Sequence, residues 1–157
     1  MNILVIHGPN LNLLGEREPA WYGKVSLELI NEEINKKAKN LNCQLKIEQS
    51  NSEGEIIELI HKERKWAKGI IINPAAYTHT SVAIRDAILA VNLPAVEVHL
   101  SNIYKREEFR HISFIRPVCI GQICGFGALS YILALEGLVN FLKEGKIDEY
   151  RKIQRGD

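Results

Sequence analysis

Ile3-Leu4-Val5-Ile6 and Ile70-Ile71-Ile72 are short, unbroken apolar runs. A strand with one wet face alternates apolar and polar residues, whereas an unbroken run needs cover on both faces. Between and after these runs lie stretches with helical periodicity. Leu27, Ile30, Ile34, Ala38 and Leu41 fall on one helical stripe behind Ser26, a capping residue, with Glu28 in the first turn. Ser52 and Glu55 have capping-box spacing, and Ile56, Leu59, Ile60 and Trp66 follow at near-helical intervals, with Gly69 as a stop. Thr80 or Ser81 opens a third helix with Ala83, Ile84, Ala87, Ile88 and Val91 inward. A last helix is expected over about 126–143.

The remaining strands are expected around Cys43, Leu45 and Ile47, over Pro94 to Leu100, and near Pro117–Ile120. The second alternates with polar residues and reads as an edge. Strands that alternate with helices along the whole chain imply a parallel sheet with helices on both faces. Five strands at 157 residues favour an α/β, flavodoxin-like three-layer sandwich of strand order 2-1-3-4-5. We expect one catalytic domain over 1–157, with a lid loop at about 15–24 and a charged tail from about 144.

Composition excludes several classes. The formal net charge of +1 gives no global basic field for nucleic acid or anionic lipid. No stretch approaches the roughly 20 apolar residues of a membrane span, and the start lacks a basic leader, so a cytoplasmic protein is expected. Cys43, Cys119 and Cys124 are odd in number and form no CxxC pair, which disfavours a disulfide framework or zinc knuckle.

In an open parallel sheet, ligands bind beyond the carboxyl ends of the strands, at the point where strand order reverses. Strand one runs into His7-Gly8-Pro9-Asn10, strand three into Asn73-Pro74-Ala75-Ala76-Tyr77-Thr78-His79, and strand four into Glu97-Val98-His99-Leu100-Ser101. Three polar clusters therefore meet at one edge. Glu97 and His99, two apart in a strand, share a face. A carboxylate beside an imidazole fixes its tautomer, which suits a general acid, although such a pair also serves as structural cover for a sheet end. On the long loop, Gly15 and Gly23 bracket Arg17 and Tyr22. Trp21 and Tyr22 either pin that loop, or Arg17 favours the tyrosinate form of Tyr22, whose ordinary pKa is near 10.

The spaced set Gly8-Pro9-Asn10, Gly15, Arg17, Pro19, Tyr22 and Gly23 resembles the N-terminal signature of the type II 3-dehydroquinate dehydratases. Asn73-Pro74-x-Ala76-Tyr77-Thr78-His79-Thr80-Ser81 with Arg85-Asp86, and Glu97-Val98-His99-Leu100-Ser101-Asn102-Ile103 with Arg106-Glu107-Glu108-Phe109-Arg110, are similar to that family's second and third blocks. The similarity runs from about residue 2 to 142. It implies a flavodoxin-like fold and a hydro-lyase that removes water from 3-dehydroquinate, a small cyclic keto acid of the shikimate pathway, by anti elimination through an enolate. No metal, nucleotide or Schiff base is implied.

Residue by residue, the resemblance implies Tyr22 as the base, with Arg17 depressing its pKa. It implies that Asn10 holds an enolate-stabilising water, that His99 protonates the leaving hydroxyl and that Glu97 orients His99. Asn73, His79 and Arg110 are implied to bind substrate hydroxyls, and the Leu100 and Ser101 amides the carboxylate. It further implies that Asp86, which lies off the apolar stripe of its helix, reaches a neighbouring subunit's site, and that trimers assemble into a homododecamer. Ala75, where the family often has glycine, and Tyr104, where it often has histidine, depart from the common pattern. Two other classes share the fold. A flavin carrier wants a Ser/Thr/Gly-rich phosphate loop after strand one, and a phospho-receiver wants an early acidic pair; His7-Gly8-Pro9-Asn10-Leu11-Asn12 is neither. A non-catalytic binding module gives no reason for Arg17 and Tyr22 on one glycine-bracketed loop.

Overall fold

The computed structural model describes residues 1–16, 25–148, 150 and 152; Arg17, Tyr22 and Gly23 lie outside the described residues. Five strands, β1 (Asn2–His7), β2 (Gln44–Gln49), β3 (Gly69–Asn73), β4 (Ala95–His99) and β5 (Gly121–Cys124), form one sheet of order β2-β1-β3-β4-β5. Every neighbouring pair is parallel. This is the expected order, with the half-polar β2 at one edge. Among the described residues, the sheet is covered by α1 (Leu27–Asn40), α2 (Glu53–Glu63), α3 (Val82–Val91) and α4 (Leu129–Lys143).

The unbroken apolar strands divide their side chains between two cores. Ile3, Val5, Ile71, Val96 and Val98 pack with Ile30, Ile34 and Ala38 of α1 and Ala134, Leu135 and Leu138 of α4. Leu4, Ile6, Ile70, Ile72 and Ala95 pack on the other face with Ile56 and Ile60 of α2 and Ile84, Ala87 and Ile88 of α3. Each fully buried aliphatic side chain contributes roughly 1.5–3 kcal/mol. A polar residue at any position from Ile3 to Ile6 or from Ile70 to Ile72 would lose that term and leave a donor or acceptor in one core or the other.

Serines start three helices. Ser26, Ser52 and Ser81 each accept a hydrogen bond from the backbone N–H three residues on. The capping box at Ser52 is closed indirectly. Glu55 accepts from the Ser50 hydroxyl at 2.5 Å, and Ser50 Oγ accepts from the Ser52 N–H at 2.9 Å. At α3, Ile84, Ala87 and Ile88 are buried as expected, but Ala83, in the first turn at the rim of the stripe, is exposed.

Some boundaries differ from expectation for identifiable reasons. α2 ends at Glu63, so Trp66 lies beyond it and Gly69 opens β3 instead of closing the helix. A Cβ on Gly69 would stand 3.0 Å from Leu138 of α4, so this glycine serves close packing. Pro117 falls in a 3-10 turn (Arg116–Val118), and β5 begins only at Gly121. Proline has no N–H for a ladder, which pushes the strand downstream. Gly125 and Gly127 take positive φ of 96° and 59°, and α4 cannot start before them.

The sheet's carboxyl edge is level. His7 is paired in register with Gln49 on one side and Asn73 on the other. His7 is fully buried there, and burial lowers its pKa from the ordinary 6.5 to about 4 despite the Asn31 hydrogen bond. Gly8 follows, donating its N–H to the Asn73 carbonyl at 2.8 Å. A Cβ at Gly8 would lie 2.7–2.8 Å from the backbone of Asn73 and Pro74.

Two predictions concern this edge. Gly8→Ala should destabilise the fold by about 1–3 kcal/mol in urea unfolding, the usual range for overpacking. Gly121→Ala, where a Cβ meets nothing within 4 Å, should cost far less. For His7, the unfolded imidazole takes up a proton below 6.5, whereas the folded one refuses it until about 4. Stability should therefore fall by about 3 kcal/mol as the pH drops through that window. Urea midpoints measured across the window should show a shallower pH slope for His7→Gln than for the wild type; equal slopes would contradict the burial of a neutral His7.

Candidate active site

Beyond the level edge of β1, β3 and β4 lies a cleft of about 160 Å³. This is smaller than the roughly 300–1,000 Å³ of drug-sized pockets and suits one small ring. Asn10, Asn73, His79, His99, Leu100, Ser101 and Arg110 all line it. Seven of the residues named from the sequence are thus on one surface, with Glu97 directly behind His99. Asp86 is exposed on α3 and does not line the cleft of its own chain. Arg17 and Tyr22 lie outside the described residues; Leu11 and Leu14, ahead of them in the chain, form part of the wall.

β4 delivers the central pair. Glu97 is wholly buried and His99 nearly so. His99 Nε2 donates to Glu97 Oε1 at 2.6 Å. Because the acceptor is a carboxylate, the hydrogen sits on Nε2, and Nδ1 is the nitrogen left for exchange with a ligand. Glu97 is satisfied further by the Thr78 hydroxyl and by Ser113 Oγ, 2.9 Å from Oε2. Burial pushes the Glu97 carboxyl up, but the His99 hydrogen bond and charge, with the two hydroxyls, outweigh it and hold Glu97 below its ordinary value. Glu97 is therefore an ionised, fully hydrogen-bonded orienting group.

His79 ends the 3-10 turn Ala75–His79 and is held differently. Its Nδ1 donates to the Ile112 carbonyl at 2.6 Å, and its ring meets Phe109 edge-on. Burial lowers its pKa, the Ile112 carbonyl raises it, and the nearby charges of His99 and Arg110 lower it further. A neutral imidazole with one ring nitrogen committed leaves the other as a hydrogen-bond partner for a hydroxyl. Arg110 is anchored at 2.8 Å to Glu107 and lies over the Phe109 ring at 4.9 Å.

Asn10 adopts a left-handed conformation, φ 66°, which asparagine tolerates better than most residues. Its N–H donates to Asn51 Oδ1 at 2.8 Å. Asn51 Oδ1 also accepts from Gln49, and the Asn51 carbonyl accepts from the Tyr77 hydroxyl at 2.9 Å. Asn51 and Gln49, which were not singled out in the sequence, thus tie the Asn10 loop to the Tyr77 turn. Ala75 sits at φ 49°, in the left-handed region that favours glycine. Arg106 also lines the cleft. Its signal was present, since it falls inside the third block, but no role had been attached to it. Thr78 and Ser113 were missed because donors to a buried carboxylate come from distant segments.

A family model described as dehydroquinase class II matches residues 1–139. A 3-dehydroquinate dehydratase of Trichodesmium erythraeum is 61% identical over 142 residues, covering 90% of this chain and 95% of that one. One from Halothermothrix orenii is 59% identical over 143 residues, covering 91% and 97%. Among solved structures, a type II dehydroquinase from Butyrivibrio crossotus superimposes with a TM-score of 0.86 at 50% identity, covering 88% of this chain and 97% of that one. One from Propionibacterium acnes gives 0.84 at 38% identity, covering 88% and 96%. Matched along nearly its whole length, and carrying its cleft at the reversal point of a 2-1-3-4-5 sheet, this chain belongs to the class II dehydroquinase family.

Proposed function

We propose that this chain is a 3-dehydroquinate dehydratase, a hydro-lyase that converts 3-dehydroquinate into 3-dehydroshikimate in the shikimate pathway, and that the residues of this cleft carry the reaction. The observation that carries the assignment of roles is the buried Glu97–His99 pair at 2.6 Å, with His99 on the cleft wall beside Asn10, Asn73, His79 and Arg110.

The ligand is a small ring bearing a ketone, a carboxylate and hydroxyls. Tyr22, as phenolate, takes the C2 proton, and the C–H electron pair moves into an enolate on the C3 oxygen. Arg17 beside Tyr22 favours the phenolate by charge. Asn10 holds a water against the enolate oxygen, a form of oxyanion stabilisation. The enolate then re-forms the ketone and expels the C1 hydroxyl, which takes a proton from His99 and leaves as water. Tyr22 ends protonated and His99 deprotonated, and one proton exchanged with solvent at each resets the site. Glu97 stays ionised throughout and holds the His99 tautomer.

Asn73, His79 and Arg110 bind hydroxyls, and the Leu100 and Ser101 amides with the Ser101 hydroxyl take the carboxylate. Closure of the loop at about 15–24 over the ligand excludes water and strengthens each of these charges. The active form is a cytoplasmic homododecamer of trimers in which Asp86, exposed on its own chain, completes a neighbour's site.

Protein freed of metal with EDTA should generate the ultraviolet absorbance of the conjugated enone from 3-dehydroquinate. Tyr22→Phe should lose several orders of magnitude in kcat while keeping the wild-type thermal midpoint. His99→Ala should lose about 10²–10⁴-fold, the usual contribution of a general acid. Activity retained in Tyr22→Phe would move the base elsewhere, and no absorbance change with folded wild type would end the dehydratase assignment.

A further inference from the structure

Ser113 is buried just beyond the 3-10 turn that bears Arg110. A serine hydroxyl has one hydrogen to give and two lone pairs to fill. Both lone pairs of Ser113 Oγ are engaged by its own segment. The Ile115 N–H donates to it at 3.1 Å and the Arg116 N–H at 2.8 Å. The oxygen has no room for a third donor, so its own hydrogen must point outward. Two acceptors lie closest, Thr78 Oγ1 at 2.8 Å and Glu97 Oε2 at 2.9 Å. Glu97 is at 0% exposure, and its charge makes it the stronger acceptor in so dry a site.

The same reasoning fixes Thr78. It cannot donate to a serine oxygen that is already full, so its hydrogen goes to Glu97 Oε1. His99 Nε2 donates to that same oxygen at 2.6 Å. His99 and Thr78 thus hold Oε1, and Ser113 holds Oε2. A carboxylate held at one oxygen keeps a soft torsion about its last bond, and that torsion sets the angle at which Oε1 meets the His99 N–H. The second anchor removes this freedom.

We propose that Ser113, its hydroxyl locked as a donor by two backbone N–H groups, is a positioning residue that holds Glu97 so that His99 delivers its proton in line. This rests on the assignment of His99 as the proton donor of a 3-dehydroquinate dehydratase.

The neighbours of Ser113 supply the contrast for a test. The Ile112 carbonyl accepts from His79 Nδ1 at 2.6 Å, and the Phe114 N–H donates to the Thr78 carbonyl at 2.8 Å. If Ser113 merely braced this segment, its loss would loosen His79, a hydroxyl-binding residue, and raise KM. Acting through Glu97 and His99, it serves an interaction made in the transition state, and its loss lowers kcat and kcat/KM equally.

A double-mutant cycle with 3-dehydroquinate, using Ser113→Ala, His99→Ala and the double variant, decides between them. Ser113→Ala should lower kcat about tenfold, the value of one hydrogen bond to a charged group, with KM within about twofold of wild type. In the His99→Ala background the same change should cost less than about twofold in kcat, because there is no imidazole left to position. The same loss in both backgrounds overturns the proposal, as does a loss that appears in KM or a folded Ser113→Ala with wild-type kcat.

Should Ser113→Ala fail to fold, Ser113→Cys replaces it in the cycle. The sulfur still accepts weakly from the Ile115 and Arg116 N–H groups but is a poor donor to Glu97. It should lower kcat several-fold only when His99 is present, and equal effects in both backgrounds, or none, again overturn the role of Ser113. Wild-type turnover, measured first, separates the two levels. Folded wild type without turnover ends the dehydratase assignment and this role with it, whereas turnover with equal losses in both backgrounds ends the role of Ser113 alone.

Discussion

A carboxylate with no exposure to water governs the upper rim of this sheet. Burying an unpaired charge costs far more than any single packing contact returns, so Glu97 exists in the fold only because donors surround it. They come from three places. His99 is on the same strand, Thr78 lies in the turn after β3, and Ser113 lies in the segment after the 3-10 turn Glu108–His111. Ser113 Oγ in turn accepts the Ile115 and Arg116 N–H groups, and the Phe114 N–H donates to the Thr78 carbonyl at 2.8 Å. The turn that bears His79 and the segment that follows Arg110 are thereby moored to β4. Satisfying one buried charge and assembling the cleft wall are the same structural event.

The floor is fixed by close approach instead of charge. Gly8 lets β1 and β3 come together beyond their last paired residues, His7 and Asn73. Asn51 then bridges the Asn10 loop to Tyr77. Asn10 and Ala75, which both line the cleft, sit at positive φ. For alanine this conformation is strained by roughly 1–2 kcal/mol, held because its N–H is taken by the Asn73 side chain at 3.1 Å. Strain of that kind concentrates where a chain must present backbone and side chain to a ligand at once.

Much of this was legible in the residues. Unbroken runs such as Ile70-Ile71-Ile72 require cover on both faces, and the alternating assignment of Ile3 to Ile6 between two cores is the direct result. Ser26, Ser52 and Ser81 cap where local chemistry says they should, and the period of a strand puts Glu97 and His99 on one face. What could not be read depends on distance in sequence. A buried glutamate announces that donors are needed, but not that Thr78 and Ser113 supply them. Gly69 looks like a helix stop because Leu138, the reason for it, is remote. Pro117 carried a usable signal: a residue without an N–H belongs ahead of β5, not inside it.

Two imidazoles share the cleft, and their surroundings assign them different work. His99 has an ionised carboxylate against Nε2, whereas His79 has a peptide carbonyl against Nδ1 and the Arg110 guanidinium nearby. The first fixes which ring nitrogen of His99 carries hydrogen; the second, together with burial, keeps the His79 ring neutral and directional. Beneath the floor, His7 is too deeply buried to charge near neutral pH, and the Asn31 carbonyl oxygen fixes its hydrogen on Nε2. Three histidines of identical intrinsic chemistry thus sit in three different settings, and the difference lies in which atom, carboxylate, carbonyl or phenol, the fold brings to each ring.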